Sequence, residues 1–145
     1  LDMHRAVLEA VAGMDVFIGT AAVADYRPAA PAASKIKKDQ DRLTVELVRN
    51  PDILAEVAAR ADRPFTVGFA AETDDVLGYA RRKLEEKRLD LIAANTVGAG
   101  QGFEVHDNAL TLLWPGGQRE LPRASKAALA RDLIALIAQR LYAPG

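Results

Sequence analysis

Residues 64–97, PFTVGFAAETDDVLGYARRKLEEKRLDLIAANTV, decide the fold. The stretch opens with an apolar run of strand length, 64–72, and closes with another, 89–97. Between them Val76, Ala80 and Leu84 recur at helical spacing, while Arg81, Arg82, Glu85, Glu86 and Arg88 fall away from that stripe. Thr73, Asp74 and Asp75 suit the start of this helix, and basic residues suit its end near Arg88. Runs that are apolar throughout, instead of alternating, belong to strands covered on both faces. The unit reads as strand, helix, strand.

The pattern continues on either side. Upstream, MHRAVLEAVAG places Ala6, Val7, Ala10 and Val11 on one helical face and stops at Gly13. DVFIGTAAVA, 15–24, reads as a buried central strand, and DYRPAAPAASKIKKDQD, 25–41, as a loop. RLTVELVR, 42–49, alternates Leu43, Val45 and Leu47 with Thr44, Glu46 and Val48, as a strand does. In NPDILAEVAARA, Asn50 can cap a helix, Pro51 suits its first position and Asp52 complements its dipole. NALTLLW and QREL around PGG read as a hairpin. SKAALARDLIALIAQRLY reads as a long helix with Leu129, Leu133, Leu136, Ile137 and Arg140 at helical spacing. The expected fold class is therefore α/β: a Rossmann-like three-layer sandwich with a mostly parallel sheet plus a C-terminal antiparallel hairpin. In such sheets ligands bind at the carboxyl ends of the strands, which nominates 21–26, 50–53, 68–73 and 94–97.

The composition narrows the class of partner. A chain of 145 residues, half of them hydrophobic, is expected to form one domain over 1–145. A net charge of −1 argues against nucleic acid as partner. The apolar runs are too short to span a bilayer, so no membrane partner is expected. The absence of cysteine fits a reducing compartment, and a cytoplasmic location is expected. The chain opens at Leu1 without a signal sequence and reads as a piece of something longer.

Several constellations invite chemical readings. GAGQGF, 98–103, has Phe103 where the dinucleotide fingerprint needs its third glycine, and a strand follows instead of a helix. His4 and His106 lack ligand spacing, so no metal–histidine site is expected. No G-x-S-x-G occurs, so a nucleophilic serine is not expected. The start of the helix at Asn50 is either simply a good helix start or an anion site facing the strand ends. Lys83 and Lys87, one turn apart on the inner side of their helix, either snorkel outward or point together into a phosphate-holding crevice. Lys35, Lys37 and Lys38 are either a solvated loop or part of a cationic flap hung from the strand that ends near Asp25.

Taken together, AAVADYRP, KIKK, NPDIL, VGFAAET, ARRKLEEK and DLIAAN occur here in that order. The chain resembles the phosphopantothenoylcysteine synthetase domain of bacterial coenzyme A biosynthesis, often the C-terminal half of a bifunctional synthetase–decarboxylase. The resemblance runs from about Leu1 to Tyr142. It implies a CTP-dependent ligation accompanied by Mg2+. CTP activates 4′-phosphopantothenate as an acyl-cytidylate with release of pyrophosphate, and the amine of cysteine then displaces CMP. It also implies roles for individual residues. Gly19, Thr20, Ala21, Ala22 and Asp25 would lie against the nucleotide. Asn50, Pro51, Asp52, Ile53, Leu54 and Phe69 would belong to its pocket. Lys83 and Lys87 would hold its phosphates, and Lys35 would be the catalytic lysine of a flexible flap over about 29–41. No residue is implied as a metal ligand. A homodimer is implied as well, and the hairpin residues Leu110, Leu112 and Trp114 are expected to be exposed for it. The family's upstream strand, with a Gly-rich turn and an Asn, has no counterpart before Leu1, so the domain is expected to be truncated at its N-terminus. The alternative is then a catalytically incompetent module for nucleotide binding and dimerisation. A pyridine-nucleotide reductase, the other enzyme class with this architecture, is disfavoured by the failed fingerprint.

Overall fold

The computed structural model describes residues 1–30, 32, 34–37, 41–72, 75–96 and 107–142. In chain order the elements are α1 (Asp2–Ala10), β1 (Val16–Gly19), β2 (Tyr26–Pro28), β3 (Leu47–Arg49), α2 (Ile53–Ala58), β4 (Phe65–Glu72), α3 (Val76–Glu86), β5 (Leu91–Thr96), β6 (Asp107–Trp114), β7 (Gly117–Ser125) and α4 (Lys126–Leu141). Five strands form the main sheet in the order β1-β4-β5-β6-β7, and β2 pairs with β3 in a separate ribbon. β1, β4 and β5 run parallel, while β6 and β7 add antiparallel.

The period-2 geometry of the strands sorts the core into two layers. Val67, Leu91, Ala93, Leu110, Leu112 and Leu121 pack on one face against Leu129, Leu133, Leu136 and Ile137 of α4. Ala70, Ile92, Ala94 and Leu113 pack on the other against Ala80 and Leu84 of α3. Each buried leucine of this kind contributes about 2 kcal/mol through removal from water. The expected three-layer α/β sandwich is the one observed. Gly68 permits its closest approach, since a Cβ there would lie 2.8 Å from Leu54 Cδ2 and 2.9 Å from Leu89 Cδ1. The β6–β7 turn is a Pro115-Gly116 pair, with Gly116 at φ +83°, a conformation that costs a glycine little.

Several local expectations are corrected. β1 is not central: it pairs only with β4 among the described residues, and all four of its residues are half-buried. Tyr26–Pro28, expected as loop, is a strand, and of 42–49 only Leu47–Arg49 is strand. Leu43, Val45 and Leu47 are exposed, and the β2–β3 ribbon stands apart from the main sheet. On α1, Val7, Leu8 and Val11 face α2, while Ala6 and Ala10 are exposed. Leu110 and Leu112 are buried under α4 and Trp114 is partly covered by Arg140, so the hairpin does not present the apolar surface expected of it. The cap of α3 is Asp75, which accepts from Gly78 N, and Thr73 and Asp74 lie outside the described residues. The same holds for 98–103 and for His106 and Lys38.

One arginine ties the amino ends of the strands together. Arg63 donates to the carbonyls of Ala58 and Arg88 and to Asp90 Oδ1, and Asp90 Oδ2 accepts from Thr66 N at 2.7 Å. Ala58 ends α2 and Arg88 lies just past the C-cap of α3, where carbonyls lack helical partners. Arg88 sits at φ +53°, which turns its carbonyl toward the guanidinium.

Candidate functional site

At the opposite end, above the carboxyl ends of β1 and β4, lies a cavity of about 480 Å3. Three segments wall it: the end of β1 with the following loop (Gly19, Ala21–Asp25), the approach to α2 (Arg49–Leu54) and the inner side of α3 (Lys83, Lys87). Phe17, Phe69 and Met3 complete the lining. The volume suits one nucleotide-sized ligand.

The first two walls are stitched to one another. Asn50 N donates to Asp25 O at 2.8 Å, and Asn50 Nδ2 donates to Ala24 O at 2.7 Å. Asn50 Oδ1 accepts from Arg27 Nη1 at 3.1 Å, and the same nitrogen donates to Arg49 O at 2.8 Å. Asn50 is therefore not the helix cap. That role falls to Asp52, whose Oδ1 accepts from Ala55 N at 3.1 Å, and Pro51 precedes the cap instead of following it.

Asp52 reaches the third wall as well: its Oδ2 lies 2.7 Å from Lys87 Nζ. Burial tends to raise the Asp52 pKa. That effect is outweighed by the hydrogen bond from Lys87, the Ala55 N–H, the Lys87 charge and the Leu54 N–H, which together hold the carboxyl below its ordinary value of 3.8. Because the folded pKa is depressed, the stabilisation is fully present above pH 3.8 and is lost as pH falls through the folded value. Asp52 thus caps the start of α2 through Ala55 N while pairing with Lys87 across the cavity. The cations of the cavity are side chains: Lys83, Lys87 and Arg49.

Of the residues expected at a nucleotide site, Gly19, Ala21, Ala22, Asp25, Asn50, Pro51, Asp52, Ile53, Leu54, Phe69, Lys83 and Lys87 line this one cavity. Thr20 and Lys35 are not among the lining residues, and Lys35 is exposed between β2 and β3. Val23 and Ala24 fall within the nominated 21–26, whereas Met3, Phe17 and Arg49 line it without having been expected. Arg49 could have been suspected as the neighbour of Asn50, whereas Met3 arrives only through the docking of α1. No Ser, Thr, Cys, His or Tyr occurs among the described lining residues. Cations beside apolar walls can bind a base and its phosphates and neutralise charge, and none of the described lining residues adds a hydroxyl, thiol or imidazole nucleophile. A cleft of about 570 Å3 beyond β5, lined by Asn95, Asp107, Asn108, Glu120 and Arg123 among others, carries a single cation among its described lining residues.

Comparison with known proteins places this geometry in context. The family model described as DNA/pantothenate metabolism flavoprotein C-terminal domain matches residues 1–141. The Coenzyme A biosynthesis bifunctional protein CoaBC of Vibrio cholerae serotype O1 is 57% identical over 145 residues, covering 97% of this chain and 36% of that protein. The protein of the same name from Vibrio vulnificus strain YJ016 is 56% identical over 137 residues, covering 92% of this chain and 34% of that one. The crystal structure of the C-terminal domain of Coenzyme A biosynthesis bifunctional protein CoaBC matches with a TM-score of 0.75 at 34% identity, covering 97% of this chain and 61% of that chain. The chain thus spans about a third of the length of these curated relatives.

Proposed function

Because the chain belongs to the DNA/pantothenate metabolism flavoprotein C-terminal domain family, we propose that it is the phosphopantothenate–cysteine ligase part of an enzyme of coenzyme A biosynthesis. The carboxylate of 4′-phosphopantothenate attacks the α-phosphorus of CTP and pyrophosphate leaves. The amine of cysteine then attacks the acyl carbon, loses a proton and expels CMP. The remainder of such an enzyme would carry the decarboxylase, and a cytoplasmic setting fits these substrates. Among the described residues no helix is long and apolar enough to cross a membrane.

One observation carries the reading: Lys83, Lys87, the Asp25 loop and the Asn50–Leu54 segment, far apart in sequence, converge on one cavity at the carboxyl ends of parallel strands. Both reacting groups come from the substrates, so positioning and charge neutralisation suffice for this chemistry. That accords with a lining whose described residues include no hydroxyl, thiol or imidazole. Of the lining carboxylates, Asp52 is committed to Lys87 and the α2 cap, which leaves Asp25 to meet a magnesium ion arriving with the nucleotide. The ion would offset phosphate charge, in keeping with the preference of magnesium for one or two carboxylates plus phosphate oxygens. The direct test is pyrophosphate release from CTP in the presence of 4′-phosphopantothenate, followed by amide formation on adding cysteine. Release that needs neither the acid nor CTP refutes the assignment.

Lys83→Ala is expected to weaken CTP binding by about 1–3 kcal/mol, the worth of a charge-assisted hydrogen bond, with little change in melting temperature. For Lys87→Ala a loss in the same range is expected, reduced by whatever the displaced Asp52 contact contributes. Calorimetric titration checks both, and unchanged affinity with lowered stability would make them helix-supporting residues only.

A second reading, a module that binds nucleotide and dimerises without turnover, is favoured by the position of Lys35 outside the cavity lining. CTP binding without pyrophosphate release would select it. Under either reading the chain is proposed to pair with a second copy. The surface for this moves from the hairpin to the β2–β3 ribbon, where Tyr26, Leu43, Val45 and Leu47 are exposed and a lone two-stranded ribbon is marginal in water. Leu47→Lys is expected to weaken association in sedimentation equilibrium, and a concentration-independent monomer mass for the unaltered chain would refute the dimer.

A further inference from the structure

Arg27 does not line the cavity, yet both walls of the cavity depend on it. Its Nη1 donates to Arg49 O and to Asn50 Oδ1, and Asn50 in turn binds the opposite wall through Nδ2 to Ala24 O and through its backbone N–H to Asp25 O. A guanidinium has donors only, and an amide has one accepting and one donating end. Arg27 therefore fixes which end of the Asn50 amide faces it. With Oδ1 held by Arg27, Nδ2 must face Ala24 O. In the reverse orientation two donors would meet on one side and two carbonyl oxygens on the other, leaving both contacts unmade. Arg27 is half-buried and sits on β2, opposite Val48 of β3, so the ribbon itself fixes the root of its side chain.

We propose that Arg27 is a positioning residue for nucleotide binding: it sets the orientation of the Asn50 amide and thereby the separation of the 21–25 and 49–54 walls. This rests on the nucleotide reading above and adds to it a residue that touches no part of the cavity. The claim is stronger than that of a surface ion pair, because Arg27 acts through two successive hydrogen bonds of the Asn50 amide that end on the backbone of the facing wall.

The test combines a readout that needs no ligand with one that does. Amide hydrogen exchange reports the Asn50 N–H, bonded to Asp25 O, and uses the Asp90 N–H, bonded to Thr66 O at the far end of the sheet, as an internal control. In Arg27→Met the Asn50 amide is expected to exchange at least ~10-fold faster while the Asp90 amide is unchanged, as for loss of a charge-assisted bond. CTP affinity by calorimetry is expected to fall about tenfold in the same variant, and Arg27→Lys, which keeps a donor on a chain of similar reach, is expected to recover most of it. Asn50→Asp, which cannot donate to Ala24 O, is expected to lose affinity whether residue 27 is Arg or Met. Unchanged Asn50 exchange in Arg27→Met overturns the clamp itself, with or without a ligand. Faster exchange with undiminished CTP affinity overturns its positioning role. If the unaltered chain fails to bind CTP while the exchange result holds, the nucleotide reading falls and takes the positioning role with it, but the clamp stands.

Discussion

Lys35→Gln is expected to lower turnover at least ~100-fold in a full-length protein with the proposed ligase activity, while leaving ligand-free stability nearly unchanged. The two halves of this expectation come from different observations. Lys35 is exposed on the connection between β2 and β3, so its removal takes no packing from the fold. Nor does it line the cavity, so the nucleotide should bind without it. A lysine that contributes to neither must act, if it acts, where charge develops once both substrates are present, and a preorganised cation at such a position is worth about 3 kcal/mol. Rapid-quench analysis of acyl-cytidylate and amide, paired with ligand-free melting, separates the outcomes. Turnover near that of the unaltered protein would reduce the segment to a connector, and Lys37 beside it to a solvated charge.

Arg63→Ala is the substitution expected to cost the fold most, about 2–3 kcal/mol. It strands the carbonyls of Ala58 and Arg88 and removes the counter-charge of Asp90 in one step. Removing one partner of a buried pair costs about 3–5 kcal/mol, and the lower figure applies because Arg63 and Asp90 side chains are 30% and 25% exposed. Urea denaturation should show a lowered midpoint with an unchanged slope. CTP affinity measured where the variant remains folded should hold, since Arg63 sits at the amino ends of the strands and the cavity at their carboxyl ends. A midpoint within experimental scatter of the original would mean that water replaces the guanidinium at no cost.

The sequence yielded the sandwich because its deciding stretch is locally unambiguous. The stripe of Val76, Ala80 and Leu84 between two apolar runs admits one packing, and it is the observed one. Strand order was less accessible. VFIG is as apolar as a central strand, but what makes a strand central is a neighbour on each side, which no residue in it encodes. The alternation of Leu43, Val45 and Leu47 misled for a related reason: period 2 announces an extended chain with two faces, not that a layer waits to cover one of them. At the site, Lys83 and Lys87 were legible as an i,i+4 pair on the inner side of α3, and the comparison with a family supplied the choice between snorkelling and converging. The exchange of roles between Asn50 and Asp52 was not legible. Both are good caps, and only the proximity of Ala24 and Arg27 diverts the asparagine to another task.

The contact between Asp52 and Lys87 gives the cavity its own counterion. An intramolecular carboxylate held 2.7 Å from the ammonium competes at an effective concentration that a dissolved monophosphate rarely reaches. Entry of a ligand is then an exchange of one ionic partner for another, and its gain is the difference between them. A single phosphate group offers Lys87 little that Asp52 does not already provide. A triphosphate that also engages Lys83 and Arg49 offers more. On the proposed nucleotide reading, the pair would act as a threshold that a single stray phosphate does not pass and a more highly charged ligand does.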